Sequence, residues 1–83
     1  MNKDDIKKII VEQILDIAPD IEEDEIEYDD NIQESLEIDS FDFLKVLTAM
    51  NDKTGVEIPE KDYSKVDTVN NMARYILNSI ETK

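Results

Sequence analysis

Residues 40–50 read SFDFLKVLTAM, a stretch whose apolar pattern decides the fold. Its large apolar side chains cover more than half of the circumference of a helix; they are Phe43, Leu44, Val46, Leu47 and Met50. We therefore predict a largely buried helix over about residues 40 to 53. Gly55, the only glycine in the chain, follows as its terminator.

The chain after Gly55 predicts an extended segment, a short helix and a long last helix. Residues 56–59 (VEIP) read as extended, because a residue before proline is pushed away from helical backbone angles. A short helical turn is expected at about residues 60 to 65. The last helix begins near Asp67 or Thr68, since either side chain can accept from the free amides of a first turn. Its apolar stripe consists of Val69, Met72, Ala73, Ile76, Leu77 and Ile80.

Before residue 40 the chain predicts one more long helix, at about residues 3 to 17. Its apolar side chains recur every three or four positions, at Ile6, Ile9, Ile10, Ile14 and Ile17. Asp4 and Asp5 complement the dipole of its first turn, and Pro19 ends it. Together the elements predict a single all-α domain over residues 1–83, a small bundle of three longer helices plus one short helix.

Residues 20–39 form a long acidic connection between the first and second long helices. Apolar residues recur within it, so we expect it to be pinned across the bundle and not free; they are Ile21, Ile26, Tyr28, Ile32, Leu36 and Ile38. The acidic residues from Asp20 onward match a calcium-binding loop poorly, because Glu25 stands where such a loop requires glycine. A solvated acidic linker is the preferred interpretation, and we expect no metal site.

The composition excludes several classes of function. Asp and Glu number 22 against 9 Lys and Arg, for a net charge of −13, which disfavours nucleic acid and anionic membranes and favours basic protein surfaces. The absence of His and Cys removes the imidazole base, the thiolate and the usual zinc ligands. We expect a monomer without catalytic residues, without membrane insertion or a signal peptide, and with a cytoplasmic location.

The start of the second long helix carries the strongest candidate for function, Asp39-Ser40. Serine is a favoured residue for capping a helix N-terminus, so the simplest interpretation is that Ser40 is only a cap. The other interpretation is that its hydroxyl is exposed and chemically modified.

The segment IDSFDFL (residues 38–44) resembles the attachment motif of the acyl carrier protein family, which reads Asp-Ser-Leu, a second acidic residue and an apolar helix. The resemblance extends over essentially the whole chain. It includes the amphipathic first helix, the acidic connection, residues 56–59 and the last helix opening with Thr68 and Val69.

The resemblance implies that Ser40 carries 4′-phosphopantetheine, delivered from coenzyme A by a phosphopantetheinyl transferase. The thiol of that arm would hold acyl groups as thioesters and carry them between fatty acid, polyketide or specialised lipid enzymes. It also implies that Asp39 and Asp42 contact basic docking patches on partner enzymes and that Phe41 is an exposed apolar contact for the same enzymes. The simpler interpretations are a core position for Phe41 and a complement to the helix dipole for the two aspartates.

A further implication of the resemblance concerns an acyl-sheltering groove, lined by Leu44, Leu47, Ile58 and Val66. The simpler interpretation of these residues is ordinary core. The sequence also departs from the family pattern: Glu37 stands where the family usually has glycine, Lys45 where an acidic recognition residue is common, and Thr48 at an apolar position. Two alternatives stay open, a peptidyl or aminoacyl carrier of D-alanyl type and an unmodified acidic helical interaction module.

Overall fold

A computed structural model describes residues 1–82, which contain four α-helices and two 3₁₀ helices. The α-helices are α1 (Lys3–Ile17), α2 (Ile32–Leu36), α3 (Ser40–Thr54) and α4 (Val69–Glu81). The 3₁₀ helices are Glu23–Glu25 and Glu60–Val66. This confirms the all-α bundle, and α1 and α3 begin at the positions that the apolar spacing indicates. The five-residue helix α2 was not predicted.

The ends of the long helices are set by side-chain caps and by the single glycine. Asn2 accepts a hydrogen bond from the amide of Asp5 at 2.8 Å, and Thr68 accepts one from the amide of Asn71 at 2.9 Å. Thr68 is therefore the cap of α4. This is one of the two residues, Asp67 and Thr68, that the sequence predicted for this position. Gly55 ends α3 with φ +75°, a left-handed conformation that glycine adopts without a steric penalty.

The core lies where α1 packs against both α3 and α4. Each long helix contributes apolar side chains with no exposed surface, and these are Ile6, Ile10 and Ile14 from α1, Val46 and Met50 from α3, and Val69, Met72, Ala73 and Ile76 from α4. Burial of this apolar surface is the main stabilising contribution in a domain of this size.

The acidic connection is pinned across the bundle, as its apolar residues predict. Ile26, Ile32 and Ile38 are buried, while the charged residues between them remain on the surface. Two backbone hydrogen bonds join this connection to the start of α4. The amide of Ile32 donates to the carbonyl of Asp67 at 2.8 Å, and the amide of Asn70 donates to the carbonyl of Tyr28 at 3.0 Å.

The turn from α2 into α3 contains Glu37 in the left-handed region, with φ 54° and ψ 40°. It is the one non-glycine residue with a positive φ among the residues that the structure describes. Its amide donates to the carbonyl of Gln33, which closes the last turn of α2. A side chain at this position is strained, because its Cβ approaches the backbone.

The 3₁₀ helix Glu60–Val66 is attached to α4 by a side-chain hydrogen bond. The hydroxyl of Tyr75 donates to Oδ2 of Asp62 at 2.6 Å, and Nζ of Lys65 lies 3.4 Å from Oδ1 of the same carboxylate. The hydrogen bond from Tyr75 lowers the pKa of the Asp62 carboxyl, and Lys65 adds to this effect. The same hydrogen bond, followed by burial, raises the pKa of Tyr75.

Replacing Glu37 with glycine is expected to raise the free energy of unfolding by about 1 kcal/mol, because relief of the left-handed strain exceeds the extra backbone entropy of glycine. Chemical denaturation measures the change. Glu37→Ala is the matched control, since it removes the same charge but keeps the strain. Equal effects of the two substitutions would show that the charge of Glu37 matters and its backbone conformation does not.

Tyr75→Phe is expected to lower stability at neutral pH by removing the hydrogen bond to Asp62. A carboxyl whose pKa is lowered by folding contributes stability above its ordinary pKa of about 3.9 and loses it as the pH falls through the lowered value. The difference between wild type and Tyr75→Phe should therefore be constant near neutral pH and shrink below about pH 4. Thermal unfolding across pH measures it. Tyr63→Phe is the control, because no hydrogen bond of that hydroxyl occurs within residues 1–82. A difference that persists into acid would contradict the assignment to Asp62.

Candidate functional site

Asp39, and not Ser40, caps α3. Oδ1 of Asp39 accepts a hydrogen bond from the amide of Asp42 at 2.8 Å, and its backbone is extended with φ −77° and ψ 173°. Ser40 is the first residue inside the helix. The interpretation of Ser40 as the helix cap is therefore wrong, because Asp39 already performs that function and the serine hydroxyl is not needed for it.

The hydroxyl of Ser40 is exposed and has one polar neighbour. Nε2 of Gln33 lies 3.5 Å from Oγ of Ser40, which is a long and weak hydrogen bond. Gln33 belongs to α2, so the unpredicted helix supplies the side chain that hydrogen-bonds to the serine. An incoming group can displace such a contact with little loss of stability.

A groove of about 480 Å³ begins at Ser40 and runs between α2, α3 and the 3₁₀ helix Glu60–Val66. Most of the exposed surface of its walls is apolar, with Phe43 and Leu44 as the apolar residues; the other lining residues are Asn31, Gln33, Ser40, Glu60, Tyr63, Ser64 and Asp67. The site is therefore an open surface depression with mainly apolar walls, and the polar side chains among them could hydrogen-bond to the amide and hydroxyl groups of a flexible arm.

The first turn of α3 fits a phosphodiester on Ser40. The leading amides of an α-helix have no acceptor inside the helix, and the helix dipole places positive potential there. The carboxylate of Asp39 satisfies the amide of Asp42, and the amides of Ser40 and Phe41 precede it in the same turn. An anionic group esterified to Ser40 would lie beside these donors.

The three predicted partner-binding residues surround Ser40 on the surface. Phe41 is 77% exposed, so the interpretation of this aromatic side chain as core is wrong, and the neighbouring Phe43 occupies the core instead. Oδ1 of Asp42 lies 3.6 Å from Nζ of Lys45 in an exposed ion pair. Asp39 combines its exposed charge with the capping function.

Three of the four predicted acyl-pocket residues line one groove. Leu44, Leu47 and Ile58 border a depression of about 250 Å³, whose other lining residues are Thr48, Asn51, Asp52, Glu57 and Tyr63. Most of its exposed surface is polar, and Leu47 and Ile58 are buried core residues. Val66 is fully buried in the core and lies outside this lining, because the last residue of the 3₁₀ helix faces inward. Leu44 and Tyr63 also line the groove at Ser40, so the two depressions share these walls.

Sequence reasoning missed Gln33 and Tyr63 as site residues. Gln33 lies on a helix of five residues, which is too short to show an apolar period. Tyr63 was available as an aromatic residue in the predicted short helix, but the groove that it lines forms only when that helix packs beside α3.

Within residues 1–82 no cluster of three or more acidic side chains has a geometry that could hold a metal ion. In the same part of the chain no helix is both long and apolar enough to cross a membrane.

Comparison with known proteins gives consistent matches over nearly the whole length. A family model described as the phosphopantetheine attachment site matches residues 6–76. The acyl carrier protein of Campylobacter lari is 35% identical over 75 residues, which cover 90% of this chain and 91% of the relative. That of Wolinella succinogenes is 36% identical over 73 residues, covering 88% and 90%. That of Campylobacter hominis is 31% identical over 80 residues, covering 96% and 95%.

The capping geometry predicts different effects for substitutions at two adjacent residues. Asp39→Ala should lower the free energy of unfolding by about 1 kcal/mol, because the amide of Asp42 loses its acceptor. Asp39→Asn should be close to wild type, since an amide oxygen caps about as well as a carboxylate. Ser40→Ala should also be close to wild type. Denaturant titrations of the three variants measure this, and a large loss with Ser40→Ala would place the cap on the serine.

Proposed function

This chain belongs to the acyl carrier protein family, whose attachment domain takes a covalent 4′-phosphopantetheine, and on this premise we propose that Ser40 is the residue that carries the arm. The observation that supports this most directly is that two different residues at the start of α3 provide the helix cap and the exposed hydroxyl. Asp39 caps the helix, while the Ser40 hydroxyl is exposed at its first residue and retains only a weak contact with Gln33.

The other serines lack this arrangement. Ser35 lies within the five-residue helix α2, Ser64 lies in the 3₁₀ helix, and Ser79 lies in the last turns of α4. None of these three serines is the first residue of a long helix. A phosphate group attached to any of them would therefore not lie beside the free amides of a first helical turn. Ser40 is also the one serine in the chain that follows an aspartate.

Attachment of the arm is a group transfer in which Ser40 is the acceptor. Oγ of Ser40 forms a new bond to phosphorus, the pyrophosphate bond of coenzyme A breaks, and adenosine 3′,5′-bisphosphate leaves. The hydroxyl proton passes to a base of the transferase. The protein is therefore a substrate of its modifying enzyme and contributes exposure, helix position and an anion-compatible environment.

The attached arm would supply a thiol that this cysteine-free chain lacks, and the protein would act as a carrier without its own catalysis. We propose acyl groups as the cargo, supported by the mainly apolar walls of the groove at Ser40, which Phe43, Leu44 and Tyr63 line. Fatty acid, polyketide and specialised lipid pathways all use carriers of this kind. An aminoacyl cargo is the second candidate, supported by the carboxylates of Glu60 and Asp67 in the groove at Ser40, which would pair with an ammonium group.

Incubation of the apo protein with coenzyme A, magnesium and a broad-specificity phosphopantetheinyl transferase should add the mass of one phosphopantetheinyl group. Intact-mass spectrometry measures the gain. Ser40→Ala should gain nothing, whereas the matched control Ser64→Ala should gain the same mass as wild type. A wild-type protein that stays unmodified would favour the helical interaction module.

The same holo protein identifies the class of cargo. Acyl loading from acyl coenzyme A donors and amino acid loading by adenylating enzymes can be compared by mass. Efficient loading with amino acids alone would replace the acyl proposal with the aminoacyl one.

A further inference from the structure

The charge of this chain is distributed very unevenly. Residues 1–39 contain 15 of the 22 acidic residues and three of the nine basic ones, for a net charge of −12, whereas residues 40–83 have a net charge of −1. The boundary between the two parts falls at Ser40. The sequence before Ser40 is therefore strongly acidic, whereas the sequence that begins at Ser40 is close to neutral.

On one side of Ser40 lie acidic residues of α2 and of the turn that follows it. Glu34, Glu37 and Asp39 are all exposed there, with no basic residue between them. This side is the natural complement of cations on a partner protein.

On the other side of Ser40 the surface of α3 has no net charge. Its two acidic residues, Asp42 and Asp52, are balanced by Lys45 and Lys53. The solvent-facing ridge of α3, defined here as Phe41, Leu44, Lys45 and Thr48, has positions separated by three, one and three residues and therefore shares one helix face. Lys45 is the one charged residue on this ridge.

Lys45 is available to a partner protein. Its side chain is 67% exposed, and its one ion pair is the exposed contact with Asp42 at 3.6 Å. Exposed ion pairs at three-residue spacing contribute little to stability, so a partner can replace this contact readily. Phe41, one helical turn away and 77% exposed, is an apolar anchor with no cover within residues 1–82.

We propose that Lys45 determines partner specificity, and that the partner enzyme has a docking surface of mixed sign. The partner would place cations against Glu37 and Asp39, an apolar pocket over Phe41 and a carboxylate against Lys45. A docking surface that is basic throughout would meet Lys45 with a like charge and would be disfavoured. This inference rests on the proposed function, since it concerns proteins that approach Ser40.

The test uses a phosphopantetheinyl transferase with a basic docking patch, and a set of variants of it in which each docking cation in turn is changed to glutamate. The substrates are the apo forms of wild type, Lys45→Glu and Lys53→Glu. Lys53→Glu is the matched control, because it makes the same change of charge on the same helix. It lies eight positions further along, roughly 12 Å from Lys45 in helix rise. Thermal unfolding of the three proteins checks that each remains folded.

With the unaltered transferase, Lys45→Glu is expected to raise kcat/KM by about tenfold, which corresponds to about 1.4 kcal/mol. Lys53→Glu is expected to change it less than twofold, and the advantage of Lys45→Glu should shrink at high salt. With one of the charge-reversed transferases the order should invert, so that wild type becomes the better substrate. That inversion identifies the carboxylate that faces Lys45.

Equal effects of Lys45→Glu and Lys53→Glu with every transferase would overturn this inference, because total charge would then explain the result. Such an outcome would leave the proposed function intact, since Ser40 would still be modified. If no protein in the set is modified by any transferase, both the proposed function and this inference fail.

Discussion

A single hydrogen bond, from the amide of Asp42 to the side chain of Asp39, fixes where α3 begins. Because Asp39 fills the capping position, the next side chain is the first to project from the helix itself, and that side chain is the hydroxyl of Ser40. The same turn then places Phe41 outward and Phe43 inward, on opposite sides of the helix surface. Moving the cap by one residue would rotate this whole sequence of side chains relative to the core.

The long helices could be predicted from the sequence because their stability comes from one apolar face each. Isoleucine spacing locates α1, and Gly55 marks the end of α3 through its left-handed backbone. The short helix α2 could not be predicted, because five residues carry no period and its position depends on the hydrogen bond from Ile32 to Asp67, which are far apart in the chain. The residue that caps α3 could not be predicted from the sequence either, because aspartate and serine are both favoured caps and are adjacent here. Glu37 was identified from the sequence as a residue at a position where the family usually has glycine. The sequence did not predict that the backbone of Glu37 adopts the strained left-handed conformation.

The sequence indicated the candidate-site residues that are adjacent in the chain. It did not indicate the residues that reach the site only through the packing of separate elements. Ser40, Asp39, Phe41 and Asp42 are adjacent in the chain, so their common location follows from one helix start. The groove walls are contributed by three separate elements, and only packing decides that Tyr63 faces the groove while Val66 faces the core. Apolar residues in a small domain serve both purposes, and residue type alone does not distinguish them.

The hydrogen bond between Tyr75 and Asp62 attaches the 3₁₀ helix to α4, and that helix packs chiefly against α4. Leu44 therefore lies on a wall that belongs to α3, and Tyr63 lies on a wall that is attached to α4, while α1 packs against both α3 and α4. A displacement of the 3₁₀ helix together with α4 would change the width of the groove, but it would also disturb the packing of α4 on α1 and the two backbone hydrogen bonds between the acidic connection and the start of α4. A guest molecule larger than the groove would therefore be accommodated at the expense of these contacts, so the packing of α1 limits the size of the guest.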